Sequence, residues 1–63
     1  MILSTLLSYV GQQIVLVNGS TFQGELNHHD GTDFSVDSIK FRTNKVSSMV
    51  VHKNMLHIIL LPY

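Results

Sequence analysis

The chain contains no cysteine. That excludes a disulfide framework, a thiolate metal site and a cysteine nucleophile. Charge is scarce as well. Only 13% of residues are charged, and four Lys or Arg balance four Asp or Glu. A neutral chain has no overall electrostatic pull toward nucleic acid or membrane. No run approaches the roughly 18 apolar residues a membrane helix needs. The opening MILSTLLSYV lacks the basic region and small-residue cleavage site of a secretory signal, and strand-like patterning follows it at once. Serines and histidines are present, but no spacing assembles them into a catalytic constellation. These absences predict a soluble cytoplasmic protein that is not an enzyme, with no cofactor and no small-molecule substrate.

What remains is a short and apolar chain of 63 residues, 44% of them hydrophobic. This length makes one domain, 1–63, and a domain so small buries a modest fraction of its surface. Such chains are stapled by disulfides, by a metal or by copies of themselves. With the first excluded and few metal ligands at hand, self-association is the expected staple.

Ile2, Leu3, Leu6, Leu7 and Val10 recur at helical spacing, and Gly11 stands where a C-cap belongs. A short amphipathic helix is predicted there. Strands follow. Gln12 to Val17 is rich in β-branched residues, and Asn18-Gly19 is the dipeptide of a type I′ hairpin turn. Thr21 to Leu26 continues as a strand in which Gly24 is odd. A glycine inside a strand marks a bulge, a bend or a close backbone approach, and a bending position is expected. Asn27 to Thr32 reads as a polar loop.

Asp33 to Arg42 reads as a third strand whose alternation breaks: Phe34 and Val36 are in one phase, Ile39 and Phe41 in the other. A bulge near Asp37-Ser38 would reconcile them. Val46 to Val51 is a fourth strand, His52-Lys53-Asn54 a tight connection, and Met55 to Leu61 a fifth strand ended by Pro62. That last strand is apolar on both faces, which calls for cover on both. The expected fold is therefore mostly β: a short N-terminal helix, then a five-stranded, strongly bent antiparallel sheet forming an SH3-like small barrel.

Val-Gly-Gln-Gln-Ile-Val-Leu-Val-Asn-Gly-Ser-Thr-Phe-Gln-Gly-Glu-Leu, ending at Leu26 and followed by Asp30, resembles the first Sm motif. Leu16-Val17-Asn18-Gly19 and Gln23-Gly24 lie closest to the bacterial Hfq branch of the Sm-like family. Val46-Ser47-Ser48-Met49-Val50, then Val51-His52-Lys53-Asn54, resembles the second motif. The resemblance implies an Sm-like fold. It further implies a cyclic homo-oligomer of about five to seven copies, closed by pairing the fourth strand of one with the fifth of the next. It implies a ligand too: single-stranded RNA rich in U or A, in a riboregulatory or RNA-chaperone role.

Carried over by position, the implied RNA contacts are His29 and Asp30 after the second strand, His52, Lys53 and Asn54 in the last connection, and Gly19 and Gln23 on the opposite face. Several family positions differ. Asp33-Phe34 stands where the family has Met-Asn, Val51 replaces a tyrosine, and Val15 and Thr21 replace a tyrosine and a lysine. An oligomeric scaffold or protein-interaction module without RNA binding is the alternative these departures leave. Each candidate also has a plainer reading. His52-Lys53-Asn54 is a polar turn, Asp37, Lys40 and Arg42 are surface charges, Arg42 and Lys45 beside Asn44 make at most a small basic rim, and Met49 and Met55 are filler. His28 and His29, with Asp30 and Asp33, have metal-ligand types. Neighbouring residues of a strand point to opposite faces, however, so a solvated loop is expected and no metal.

Overall fold

The structure is a computed structural model that describes residues 2–62. After the helix α1 (Ile2–Ser8) come six strands, β1 (Gln13–Asn18), β2 (Ser20–Asp30), β3 (Asp33–Val36), β4 (Ile39–Arg42), β5 (Val46–His52) and β6 (Met55–Leu60). One turn of 3₁₀ helix, Thr43–Lys45, separates β4 from β5. The strands form one sheet in the order β4-β3-β2-β1-β6-β5. The molecule is mostly β with a short N-terminal helix, as expected. The sheet has six strands rather than five, is not closed, and contains one parallel pair, β1 with β6.

The extra strand comes from the phase break in Asp33–Arg42. Those residues form a hairpin in which Val36 opposes Ile39 and Phe34 opposes Phe41. Paired residues of a hairpin share a face. A two-residue turn between Val36 and Ile39 therefore shifts the alternation by one, and the pattern read as a bulge is a reversal. Asp37 turns the corner at φ 54. With positive φ at the first turn residue only, this is the pattern of a type II′ turn, where glycine is usual.

The other turns also differ from expectation. Asn18 opposes Ser20, so Gly19 stands alone at the apex with φ 75. The two-residue turn of type I′ lies instead between His52 and Met55, where Lys53 and Asn54 have φ 53 and 64. Asn27 to Asp30, read as loop, continues β2 against β3; a register shift falls at His29, and only Gly31 and Thr32 are left to turn.

β2 is the long bent strand. Its first half pairs with β1 and its second half with β3. At the bend, Gly11 N–H donates to the Leu26 carbonyl (2.8 Å) and Leu26 N–H to that of Gln12 (3.0 Å). Gly24 sits just before this corner. A Cβ built there would collide with the Asp37 carboxylate. The glycine thus admits a neighbouring side chain as well as a bend.

The core lies inside the curl: Leu6 of the helix, Ile14 and Leu16 of β1, Leu26, Phe34, Val36, Phe41, Val46, Leu56 and Ile58. Of the helix stripe, Leu6 is buried and Leu3 packs on the core, while Ile2, Leu7 and Val10 are exposed. The outer face of β1 and β6 is covered better than alternation alone suggests. Val15 is buried, and Met55, His57 and Ile59 are half-buried within one chain. The 3₁₀ turn joins the two outermost strands of the sheet over a reach of at most about 14 Å, so the curled edges approach each other there. Thr43 N–H donates to the Thr32 carbonyl (3.1 Å), and Leu61 N–H to the Lys45 carbonyl (2.8 Å).

β6, the strand expected to receive a neighbouring copy, is paired on both edges, by β1 and β5 of its own chain. The open edges belong to β4 and β5. No helix among the described residues is long and apolar enough to cross a membrane.

Candidate functional site

The seven residues implied as RNA contacts fall in separate places. Gly19 is at the β1–β2 apex. Gln23 is exposed opposite Val15, which in turn lies beside His57 on β6. His52, Lys53 and Asn54 occupy the β5–β6 turn. Because β1 and β6 run parallel, that turn and the Gly19 apex are at opposite ends of the sheet, on the order of 20 Å apart along the strands. His29 and Asp30 sit at the far end of β2. A single chain does not gather them.

The histidines are held in place by near neighbours. His28 Nε2 lies 2.9 Å from the Gly31 carbonyl oxygen, and its ring is 4.8 Å from that of Phe34. His29 Nε2 lies 2.7 Å from Ser35 Oγ. Ser35 is only 2% exposed, the one buried polar residue among those described. A buried hydroxyl needs a partner, and the register shift at His29 brings the imidazole to it. The two rings therefore have different partners, although both lie on a strand. His52 and His57 meet edge to face on the outer side of the β5–β6 hairpin, with ring centroids 5.6 Å apart.

A different group of residues does come together, around the edge strand β4. A cavity of about 380 Å³ is lined by His29, Asp33, Phe34, Lys40, Phe41 and Arg42. A second, of about 260 Å³, shares Lys40 and Phe41 and adds Asn18, Lys45, Leu60 at the end of β6, and Leu61 and Pro62 beyond it. Three of the four Lys and Arg residues of the chain thus stand within six positions, Lys40, Arg42 and Lys45, along one edge of the molecule. The fourth, Lys53, is on the far turn. Arg42 Nε donates to Asp33 Oδ1 at 3.0 Å across the β3–β4 pair. Both side chains are exposed, so this ion pair fixes orientation more than it stabilises.

The local sequence explains the grouping. Alternation along Ile39-Lys40-Phe41-Arg42 sends Ile39 and Phe41 toward the core and Lys40 and Arg42 outward. Phe34 and Phe41, both buried, stack with ring centroids 6.2 Å apart on the core side of the β3–β4 pair. The one-turn 3₁₀ helix then places Lys45 beside the strand it has just left. Composition concealed this cluster, since a zero net charge does not say where the charges lie; Asp33 stands among the cations and is bonded to Arg42. Arg42 and Lys45 were visible in the sequence as a small basic rim. Lys40 and His29 join them only through the β3–β4 hairpin and the register shift. No protein-family model, curated protein or solved structure matches this chain.

Proposed function

We propose that this chain is a small RNA-binding module, as its resemblance to the Sm-like family implies, that it works as a homo-oligomer, and that single-stranded RNA lies along the β4 edge. The observation that carries the reading is the run of Lys40, Arg42 and Lys45 beside two adjoining cavities, with His29 at one end. Single strands are held by a cationic track that follows the phosphates, with planar side chains available to bases. Lys40, Arg42 and Lys45 supply such a track, and His29, exposed at its end, supplies a ring.

Arg42 already bonded to Asp33 presents its remaining guanidinium N–H groups in a fixed direction, suited to a phosphate oxygen. On this reading Lys53, His52 and Asn54 are turn residues with a subordinate part. A ring of copies would have to run from β5 of one to the four-residue β4 of the next, across the same cations that meet RNA.

The reading is tested by titrating labelled oligo-U and oligo-A into the intact protein at several salt concentrations. Binding that weakens with salt, and is weaker with a shallower salt dependence in Lys40→Gln/Arg42→Gln, is expected. No binding at low salt would overturn it. The uncharged β5 edge favours a second reading, a self-assembling scaffold without RNA, and that is the function left standing by a null titration.

A further inference from the structure

We infer that β5 is the self-association edge of this protein, and that two copies pair β5 against β5, antiparallel about a two-fold axis, into one continuous sheet. The inference goes beyond the RNA reading, and it holds or fails without RNA.

The two open edges of the sheet are unlike. β4 is four residues long and carries Lys40 and Arg42. Short length and outward cations are the devices by which natural sheets keep an edge from pairing with another chain. β5 is seven residues, Val46–His52, and has no Asp, Glu, Lys or Arg. No strand pairs with its second edge; its start is irregular, with Val46 N–H donating to the Thr43 carbonyl and a register shift between Val46 and Ser48, so the regular open edge is Ser48–His52. Two of its side chains, Val50 and Val51, are 51% and 61% exposed, the most exposed large hydrophobics described. The remaining exposed large hydrophobics, Ile2, Leu7, Val10 and Phe22, lie away from both open edges, while β6, the strand that looked too apolar to stand alone, is buried or half-buried within the chain.

The occupant follows from the same features. A strand edge is completed by another strand of matching length, and antiparallel β5 matches itself residue for residue. Pairing β5 with β4 of a second copy would cover four of its seven residues and leave valines beside cations. Self-pairing sets an uncharged segment against an uncharged segment, so no like charges meet within Val46–Val51. The contact uses the same patch on both copies and closes on itself, giving a dimer rather than a fibre. Val50 lies in register with His57 and, beyond it, Val15 on the outer face. The half-buried outer strip would thus run to the joint and continue into the second copy. β4 stays open at each end of the assembly.

The test is sedimentation of the intact protein without RNA across micromolar to millimolar concentration, together with Val50→Lys/Val51→Lys. The wild type should sediment as a dimer, and the variant as a monomer with an unchanged far-UV CD spectrum. Lys40→Gln/Arg42→Gln should leave the dimer intact, which separates this inference from the RNA reading. In a mixed sample of isotope-labelled and unlabelled chains, Hα–Hα contacts between β5 strands of different molecules are expected. Should Val50→Lys/Val51→Lys unfold the chain, those intermolecular contacts in the wild type decide alone. A wild type that stays monomeric at millimolar concentration, a closed ring of more than two copies, or intermolecular contacts confined to β4 would overturn the inference.

Discussion

Gly24 of β2 lies directly beneath the carboxylate of Asp37. A Cβ at position 24 would be closer to that carboxylate than real Cβ atoms come. The relationship ties the bend of the long strand to the β3–β4 turn, because Asp37 N–H also donates to the Glu25 carbonyl at 3.4 Å. Curl of the sheet, position of β4 and exposure of Lys40 all pass through this corner.

Gly24→Ala is expected to destabilise the protein by about 1 kcal/mol, the low end of overpacking, because the exposed Asp37 side chain must swing aside. Asp37→Gly removes the colliding carboxylate and relieves a positive φ at a residue with a side chain. The double variant Gly24→Ala/Asp37→Gly should therefore be more stable than the sum of the single changes predicts. A double-mutant cycle by urea denaturation checks it, and additive effects would mean the two residues do not meet.

His29 and Ser35 make a second coupled pair. His29→Ala leaves the Ser35 hydroxyl buried without its imidazole, an expected cost of about 1–3 kcal/mol. Ser35→Ala removes the need for a partner and should cost less. Chemical denaturation of both variants measures the order, and an equal cost would show that the hydroxyl is satisfied elsewhere.

Lys53 turns a type I′ corner at φ 53 with a full side chain. Lys53→Gly should stabilise the hairpin by roughly 0.5–1 kcal/mol, since glycine takes that region without steric cost. In a domain of this size about 1 kcal/mol raises Tm by roughly 4–8 °C. Calorimetry of the variant checks the sign: a lower Tm would mean that the lysine side chain holds the turn by contacts of its own.

Much of this fold is legible in the chain, and the places where it is not have physical causes. The helix and the regions of the first two and last two strands follow from periodicity. Val36-Asp37-Ser38-Ile39 hid a hairpin, because a bulge and a two-residue turn produce the same phase shift and Asp37 carries no glycine to mark the corner. Asn27 to Asp30 hid a strand, because polar residues on an exposed hairpin resemble a loop in composition. β6 misled differently. Its two apolar faces were evident, but one packs into the core through Leu56 and Ile58, and its place mid-sheet comes from the parallel pairing with β1, a long-range contact that no local pattern encodes. The candidate site was less legible than the fold, since Lys40, Arg42 and Lys45 become a track only once β4 is an edge.

The measurement that bears most directly on the account is the salt dependence of oligo-U and oligo-A binding by three proteins: wild type, Lys40→Gln/Arg42→Gln and Lys53→Gln. Log–log plots should be linear, with the β4 double variant losing affinity and its slope falling by about 0.7 for each phosphate contact removed. Lys53→Gln should stay close to wild type. Loss of binding in Lys53→Gln with the β4 variant unaffected would place the RNA on the far turn and contradict the account.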